Sequence, residues 1–524
     1  MAFSVPPNVL YMLFTLSWMD LGAHIQALTF STLADTLMIM NNHTLRTHYG
    51  IEPTEANLSV MNSIITASTT VGMLFSLYFL MPLSETRGRK FAVVYVRFFI
   101  TFVSSLCQLT AALFQATELY IIGQFLNGSQ LPLRMFISML YVMECAPDQH
   151  RGFTSTALIF SDVIGQVFMY SVASPNVLGK ENTWFIFPLI VLISTVIVFF
   201  LNVRLPESPK WLVRQNEMKK AAEAVEFYHG KNCAIDEVLE TYVREKNLTK
   251  EDQISIRQVW QNETLRESFK ILLSVTLFLT FDSSGIQAVY TVLLHTGAGF
   301  TVQEAMNINL FLSVIMFPTK FIGTYIIDSL GRRPVMGIAG MIIFGKSWLI
   351  LITETMLYLS GPSIVTKILY FCVEFMTQSV AATGVMSIGI LFVSELFPPS
   401  ARTSIAQCLI LISMAISFPV VSTFPIINSF FAPAFFVPYI VSQALLGTYL
   451  FRHMPETRAR AVCDIIESMD AEIASRSASV YEEYTPLLRD RASTYAMKRN
   501  SILITPRTRA LTVDHNLTPS KWNC

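Results

Sequence analysis

The stretch ECAPDQHRG (residues 144–152) has a counterpart in ELFPPSAR (residues 395–402), and the two share one pattern. In each stretch, a Glu is followed by Pro at the third position after it and by Arg at the seventh. Two further pairs of stretches match in this way: MPLSETRGRK (81–90) with IIDSLGRRP (326–334), and LPES (205–208) with MPET (454–457). The acidic residues of the three pairs lie 243, 251 and 249 residues apart, so the sequence contains a duplicated unit.

Long apolar runs separate these stretches. The chain of 524 residues is 52% hydrophobic and 14% charged, whereas soluble chains carry about 25% charged residues. A run of about 20 apolar residues is long enough to cross a bilayer core as a helix. The sequence therefore predicts an all-α membrane protein with twelve transmembrane helices in two duplicated six-helix halves, at about residues 9–32, 58–81, 91–114, 118–142, 154–174, 183–203, 271–294, 305–327, 335–357, 366–393, 404–424 and 432–452.

Basic residues in the short loops predict the orientation, because Lys and Arg favour the cytosolic side. With the N-terminus inside, the outer loops hold only Arg46, Lys180 and Lys367. The short inner loops then hold Arg87, Arg89, Lys90, Arg151, Arg332, Arg333 and Arg402. We therefore predict a multi-pass protein with both termini cytosolic. The net charge is zero, so nothing in the charge balance indicates a nucleic-acid partner.

A polar segment between the sixth and seventh runs divides the chain into parts. Residues 1–203 form the predicted N-terminal six-helix half, and residues 271–452 form the C-terminal half. Residues 204–270 are predicted to be a cytosolic loop with short amphipathic helices. Residues 453–524 are polar, without a sustained apolar period, and predict a cytosolic, largely disordered tail.

The duplicated motifs resemble those of the sugar porter family of the major facilitator superfamily, across about residues 9–460. The resemblance includes G-R-[RK] after the second and eighth runs, E-x-x-P-x-x-x-R after the fourth and tenth, and PESPKWL at 206–212. Related organic-ion carriers share some of these motifs but usually have a long loop after the first span. Here that loop, 33–57, is short, which favours the sugar porter branch. The resemblance implies the major facilitator fold and transport by alternating access.

The resemblance also implies a gate at the cytosolic helix ends. Arg–carboxylate bridges are directional and individually modest in a partly wet setting, so they can close and reopen. Solvated topology anchors are the alternative interpretation. Glu85 stands where the family has Asp, which indicates looser coupling in the first half. The predicted gate consists of Glu85, Arg89, Glu144, Arg151, Glu207, Asp328, Arg332, Arg333, Glu395, Arg402 and Glu456.

Polar residues interrupt the seventh apolar run, LFLTFDSSGIQAVYTVLL (277–294). A carboxylate in a membrane span is costly and usually faces a water-filled cavity or a charged partner. Gly285 permits local unwinding of the helix, so Asp282 is predicted to line a substrate cavity. By resemblance, the predicted substrate-binding positions are Phe281, Asp282, Ser284, Gln287, Ile159 and Ile390. Several of them are apolar where the family has sugar-contacting polar residues, which makes hexose itself a doubtful substrate.

Other ionisable residues within the spans suggest proton coupling. Asp20 falls where proton-coupled family members carry an Asp, whereas the position of its partner arginine holds Gln124. We therefore consider Arg134 as a replacement partner and Asp162 as a further candidate. The alternative is that Asp20, Asp162, Arg134 and Glu374 satisfy one another structurally. Arg97 is expected to snorkel toward the membrane surface.

Three functions follow from these patterns. The first is transport of a small polar solute, such as a carbohydrate or a related molecule. The alternatives are a proton-coupled carrier of a charged organic molecule and a non-transporting nutrient sensor. No nucleophile–base set or metal-ligand spacing is present, so we predict neither an enzyme nor a metal or cofactor site.

Two short motifs concern processing and sorting. Asn42 is a candidate glycosylation site in a predicted outer loop. In the tail, YEEYTPLLRD (481–490) resembles an acidic dileucine signal formed by Glu483, Leu487 and Leu488, which clathrin adaptors read. The motif predicts a protein of the plasma membrane or of endosomal and lysosomal membranes.

Overall fold

The computed structural model of the protein describes residues 5–147, 151–230, 233–249, 255–382, 385, 388–397 and 399–457. These residues form twenty α-helices and three π-helical segments, and they include no β-strand. The all-α prediction is therefore confirmed for the part of the chain that the structure describes.

The first nine helices contain the predicted N-terminal half. Three π-helical segments interrupt them: Ser76–Leu80 joins α3 to α4, Phe91–Val96 leads into α5, and Leu133–Ser138 joins α6 to α7. Such segments shift the face that a helix presents to its neighbours. The nine helices are α1 Pro7–Thr32, α2 Ala34–Thr47, α3 Glu55–Phe75, α4 Met81–Thr86, α5 Arg97–Phe114, α6 Thr117–Pro132, α7 Met139–Cys145, α8 Arg151–Val172 and α9 Ile186–Asn202.

Four short helices follow, where the sequence predicts amphipathic ones. They are α10 Pro209–Arg214, α11 Met218–His229, α12 Ile235–Thr249 and α13 Ile256–Gln261. Ser208 caps α10, and Pro209 occupies its first turn, where a missing N–H costs nothing. The buried apolar side chains of α10–α12 form a small core of their own. The domain boundaries at 203 and 271 stay predictions.

The remaining helices contain the predicted C-terminal half. They are α14 Glu263–Thr280, α15 Ser284–Gly297, α16 Val302–Leu330, α17 Arg332–Ser360, α18 Ile364–Ala382, α19 Ile388–Leu396 and α20 Pro399–His453. Helix α20 contains the last two predicted spans and is kinked at Phe431, whose backbone is extended (φ −157°, ψ 85°). The seventh predicted span is divided between α14 and α15, and this break positions the candidate site described below.

Lengths and compositions agree with a membrane-spanning bundle. Six helical stretches of the described residues are long and apolar enough to cross a membrane: Glu55–Thr86, Phe91–Phe114, Glu263–Gly297, Arg332–Ser360, Ile364–Ala381 and Ser404–His453. Large apolar side chains such as Phe14, Met341 and Phe451 point outward with more than half of their surface exposed, as lipid contact requires. The count of twelve spans stays a prediction.

Candidate functional site

The seventh predicted span is unwound at three residues. Helix α14 ends at Thr280 and α15 begins at Ser284. Between them, the Asp282 N–H bonds to the carbonyl of Leu279, three residues before it, instead of continuing the α-helical pattern. A helix end leaves backbone carbonyls without partners, and Gln443 Nε2 of α20 donates to the carbonyl of Phe281 over 2.7 Å. The break expected near Gly285 therefore lies immediately before it, and Asp282 is at its centre.

The carboxylate of Asp282 is held by a lysine. Lys346 Nζ, from the middle of α17, lies 2.5 Å from Asp282 Oδ1, and both side chains are almost completely buried. Ser284 Oγ donates to Asp282 Oδ2 over 2.5 Å and accepts from Lys346 Nζ over 2.6 Å. The three groups form a closed, electrically neutral triangle, so Asp282 faces a charged partner. Sequence reasoning missed Lys346, although a single lysine inside the apolar run 335–357 is itself a signal of a buried partner.

The other substrate-binding candidates lie around this triangle where the structure describes them. Gln287 is buried one turn further along α15 and accepts a hydrogen bond from Thr377 of α18 over 2.5 Å. Gln287 Nε2 has no hydrogen-bond partner among the described residues, so a donor is available there. The Phe281 ring packs edge-on against Tyr439 at 6.2 Å. The side chains of Ile159 and Ile390 lie outside the described part of the structure.

A second buried ion pair lies in the first half and corrects one expectation. Arg97, expected to snorkel, is completely buried, and its guanidinium donates to Asp20 over 2.7 Å and to Ser138 over 2.6 Å. Arg134, considered as the partner of Asp20, is buried within electrostatic range of both Asp20 and Arg97. The π-helical segment before α5 turns Arg97 toward α1, and a regular helical period cannot reveal that shift. The Asp162 side chain lies outside the described residues.

Buried amides continue from this ion pair along the inside of the first half. Gln26 Nε2 of α1 donates to Ser104 over 2.8 Å, and Gln130 Nε2 of α6 donates to Gln26 Oε1 over 3.1 Å. Gln130 also accepts from Thr101 over 2.7 Å, and its amide donates to Asn127 over 3.0 Å. Sequence reasoning missed this network. The spacing of Gln124, Asn127 and Gln130, which places three amides on one face of α6, was the available signal.

Four first-half members of the predicted gate form a cluster with Ser208, which we call the first charged cluster (Glu85, Arg89, Glu144, Glu207 and Ser208). Arg89 contacts Glu85 at 2.9 Å and Glu144 at 3.2 Å, and Ser208 Oγ donates to Glu144 over 2.5 Å. Glu207 accepts from the backbone N–H of Lys90 and from its neighbour Ser208, each over 2.8 Å. Burial raises the pKa of Glu207, although these N–H groups oppose the shift.

The second half repeats this arrangement in the second charged cluster (Arg332, Arg333, Glu395, Glu456 and Thr457). Arg332 contacts Glu395 at 2.9 Å, and Thr457 Oγ1 donates to Glu395 over 2.5 Å. Glu456 accepts from the backbone N–H groups of Arg332 and Arg333, each over 3.0 Å. Glu395 therefore has an arginine and a hydroxyl group as partners, as Glu144 does in the first charged cluster. Glu456 accepts from backbone N–H groups, as Glu207 does.

Three members of the predicted gate are not placed in these clusters. Arg402 donates from Nε to the carbonyl of Phe397 over 3.0 Å. The side chains of Arg151 and Asp328 lie outside the described residues, so their part in the gate stays a prediction.

The two halves contact each other at the end of the bundle opposite the charged clusters. Tyr290 of α15 donates its hydroxyl to Thr66 of α3 over 3.0 Å, and its ring packs on Phe30 of α1 at 5.9 Å. Ser174 and Gln303 form a further hydrogen bond between the halves. The helix rises about 28 Å between Thr66 and Glu85. The hydrogen bonds described above for the two charged clusters each join residues of the same half, whereas the Tyr290–Thr66 and Ser174–Gln303 hydrogen bonds join one half to the other.

A family profile decides what kind of protein this is. The profile described as "Sugar (and other) transporter" matches residues 20–468. The chain belongs to this family.

Its relatives in the sugar transporter family are transporters from plants, animals and bacteria. The chain is 24% identical over 426 residues to "Sugar transporter ERD6-like 16" of Arabidopsis thaliana, covering 78% of this chain and 82% of the relative. It is 25% identical over 429 residues to human "Solute carrier family 2, facilitated glucose transporter member 9" (78% and 76% covered). It is 22% identical over 437 residues to "Major myo-inositol transporter IolT" of Bacillus subtilis (80% and 88% covered). These relatives are transporters rather than enzymes.

Solved structures confirm the major facilitator fold. The inward-open xylose transporter XylE of E. coli matches with a TM-score of 0.66 at 17% identity, covering 88% of this chain and 99% of that chain. Its partially occluded inward-open form matches with a TM-score of 0.65 at 16% identity, covering 87% and 100%. This sugar-transporter-family protein is therefore an integral, multi-pass membrane protein with the major facilitator fold.

The candidate glycosylation site lies within the described part of the structure, whereas the sorting motif does not. Asn42 lies within helix α2, and Thr44 of the same sequon is buried, with hydrogen bonds to the carbonyl of Gln115 and to Thr117. Glycosylation of Asn42 stays a prediction. Glu483, Leu487 and Leu488 lie outside the described residues.

Proposed function

We propose that this protein carries a small polar solute across a membrane by alternating access. One observation carries the proposal: the hydrogen bonds Tyr290–Thr66 and Ser174–Gln303 join the halves at one end, and matching clusters of Arg–carboxylate contacts lie at the other end. A carrier that alternates needs one closed end and one end that can close through modest, reversible contacts. The paired charged clusters meet that requirement.

The proposed cargo is a carbohydrate or a related polyhydroxy molecule. The named relatives include a glucose transporter and a myo-inositol transporter, and the matched structures are of a xylose transporter. In this chain, the amide network of Gln26 and Gln130 and the free donor of Gln287 are groups that hydrogen-bond hydroxyls well. The apolar Phe281 weakens the case for hexose itself.

The proposed orientation follows from the basic loops. With both termini cytosolic, the charged clusters form a cytosolic gate, and the Tyr290–Thr66 contact closes the outer side. We propose the plasma membrane or endosomal and lysosomal membranes as the location of the protein, with the tail motif available to clathrin adaptors.

A second candidate function is proton-coupled transport of a charged organic molecule. The buried charges favour it: Asp20 with Arg97 in the first half, and Asp282 with Lys346 in the second. An ion pair within a transport pathway can change its proton occupancy when conformation changes its exposure. In an alternative mechanism, a charged cargo replaces one partner of the Asp282–Lys346 ion pair.

A binding and flux experiment separates these functions. The full chain, purified in detergent, is tested for thermal stabilisation by D-glucose, myo-inositol, an organic anion and an organic cation. A ligand at 100 times its dissociation constant stabilises by about 2.7 kcal/mol. Any ligand found is then supplied, radiolabelled, to proteoliposomes with and without a pH gradient. Uptake of a neutral sugar or polyol supports the first proposal. Uptake of only a charged molecule, driven by the gradient, favours the second, and binding without uptake overturns both.

A further inference from the structure

A group of buried polar side chains lies in the second half, beyond the Asp282–Lys346 pair. It contains His295 on α15, Glu354 on α17, and Tyr370 and Glu374 on α18, all with 6% or less of their surface exposed. We call these four residues the acidic–aromatic group. Neither ion pair described for the predicted transport pathway includes any of them.

Hydrogen bonding leaves the group with more acceptors than donors. His295 Nδ1 lies 2.7 Å from the carbonyl of Thr291, and since a carbonyl only accepts, Nδ1 carries the proton. In the neutral ring Nε2 is therefore a bare acceptor, and it has no hydrogen-bond partner among the described residues. Glu374 Oε1 accepts from Gln378 over 3.2 Å, but Glu374 Oε2 and the Tyr370 hydroxyl are buried without such a partner.

Three of these residues, His295, Tyr370 and Glu374, are close enough to act on one ligand. The His295 and Tyr370 rings meet edge to face, with their centroids 4.8 Å apart. The Glu374 carboxylate is within electrostatic range of both rings and of Tyr170, which α8 contributes from the first half. Glu354 is within electrostatic range of Tyr370. The group therefore borders the junction between the halves.

In the part of the chain that the structure describes, no basic side chain pairs with either carboxylate. Lys346, two turns before Glu354 on α17, is held by Asp282 and Ser284. Lys367, near the start of α18, contacts Glu304 at 3.5 Å. A buried ionised carboxylate without a cation is expensive, and each buried polar atom without a partner costs about 1–3 kcal/mol. A ligand that brings positive charge and hydrogen-bond donors removes both costs.

We propose that the acidic–aromatic group binds a protonated primary amine, with Glu374 neutralising its charge and Glu354, beside Tyr370, adding negative potential. The ammonium group has three N–H donors, two of which can bond to His295 Nε2 and Glu374 Oε2, and the third can bond to the Tyr370 hydroxyl oxygen. The adjacent aromatic rings add cation–π attraction.

The inference deepens the proposed function, and it rests on that function for the assignment of the amine to the cargo. A carbohydrate that bears an ammonium group would bind both sites at once: its hydroxyls would bond to the buried amides, and its ammonium group would bind the acidic–aromatic group. The site itself can be tested by binding alone, without any measurement of flux.

The first arm of the experiment titrates the detergent-purified full chain with methylammonium chloride, while sodium chloride keeps the ionic strength constant. The midpoint of thermal unfolding should rise and saturate. In Glu374→Gln the half-saturating concentration should increase by at least about tenfold, which corresponds to about 1.4 kcal/mol of lost binding free energy. Glu304→Gln, a matched change at an exposed carboxylate of α16, should leave it unchanged. Glu354→Gln tests the second carboxylate if Glu374→Gln does not fold.

Each outcome of this arm decides the proposal. A flat titration of the wild-type chain overturns it, because methylammonium then binds no better than sodium. A saturating rise that persists unchanged in both Glu374→Gln and Glu354→Gln also overturns it. Loss of the effect in either variant, but not in Glu304→Gln, supports the site.

The second arm compares D-glucosamine with D-glucose and myo-inositol. A half-saturating concentration at least tenfold lower for D-glucosamine in the wild-type chain, and lost in Glu374→Gln, assigns the ammonium group to the cargo. Methylammonium binding with no response to any of the three carbohydrates keeps the site and contradicts carbohydrate transport. Equal stabilisation by D-glucosamine and D-glucose contradicts the assignment to the cargo and leaves carbohydrate transport supported.

Discussion

Lys346 of α17 contacts Asp282 at the break between α14 and α15, and Arg97 of α5 contacts Asp20 of α1. In each half, a carboxylate on the first predicted span is paired with a base on the third. The two halves therefore neutralise a buried acid in the same way, although neither base follows from the repeated loop motifs. This shared arrangement buries one acid–base pair inside each half.

The first prediction concerns the Asp282–Lys346 pair. Lys346→Met leaves a buried, unpaired carboxylate, and Asp282→Asn leaves an unpaired ammonium group. Removing one partner of a buried pair costs about 3–5 kcal/mol of stability. The double variant should recover much of that loss, because neither charge then remains, and thermal unfolding of the four proteins as a double-mutant cycle measures the recovery.

The exposed Lys367–Glu304 pair provides the matched control for that cycle. Its side chains are 34% and 50% exposed, so Glu304→Gln should cost about 0–1 kcal/mol. If Lys346→Met and Asp282→Asn lowered the stability no more than Glu304→Gln does, the buried pair would not stabilise the helix break.

The second prediction concerns two glycines that cradle the carboxylates of the charged clusters. Gly88 has φ +110°, and a Cβ there would lie 2.2 Å from Glu207 Oε2. Gly331 has φ +99°, and its Cβ would lie 2.8 Å from Glu456 Oε2. Alanine at either position is strained and displaces the carboxylate from its backbone N–H donors, so each variant should lose about 2–4 kcal/mol.

Gly337→Ala is the matched control for both glycine variants. Gly337 lies inside α17, and a Cβ there would meet nothing within 4 Å. Alanine is the better helix former, so this change should be neutral or stabilising by up to about 1 kcal/mol. Equal thermal stability of Gly88→Ala and Gly337→Ala would show that the glycine cradle is dispensable.

The apolar runs and the repeated motifs were sufficient to predict the fold class, and the family resemblance named the charged residues of both clusters but not Ser208 and Thr457. Glu144 and Glu395, for example, occupy equivalent positions in the sequence and have equivalent arginine partners in the structure. The repeat carries this information because each motif recurs at the same helix ends of both halves, although the paired residues themselves lie 55 and 63 residues apart along the chain.

The pairing of charges inside the bundle could not be predicted in the same way. Arg97 pairs with Asp20 because a π-helical segment precedes α5, and Lys346 reaches Asp282 because α14 ends at Thr280. Both features change the face or the depth at which a side chain lies. A regular helical period assigns that face incorrectly as soon as one turn departs from 3.6 residues.

The third prediction concerns the pH dependence of the first charged cluster. Burial raises the pKa of Glu207 above its value in the unfolded chain. The folded chain therefore binds this proton more tightly, and the contribution of Glu207 to stability is greatest below the unfolded pKa and declines as pH rises through the folded pKa. Glu207→Gln should remove this decline, since its amide oxygen can still accept from Lys90 and Ser208.

Thermal unfolding of the wild type and of Glu207→Gln, measured from mildly acidic to neutral pH, tests whether the contribution of Glu207 to stability declines as pH rises. The difference in stability between the variant and the wild type should increase as pH rises over this range. A difference that decreases with pH would mean that Glu207 is stabilised as a carboxylate by Arg89 and the backbone N–H groups more than it is destabilised by burial.

The last prediction concerns the closed end of the bundle. Tyr290→Phe keeps the aromatic packing on Phe30 but removes the hydroxyl that donates to Thr66. A hydrogen bond of this kind contributes about 0.5–1.5 kcal/mol, so its loss should shift the balance of the two conformations by about 2- to 12-fold toward opening at this end. Distances between spin labels at Ser59 of α3 and Thr301, immediately before α16, should show a larger fraction of separated halves. Tyr358→Phe, at an exposed tyrosine of α17, should leave the distribution unchanged. An unchanged distribution in Tyr290→Phe would mean that packing alone, without this hydrogen bond, keeps the end closed.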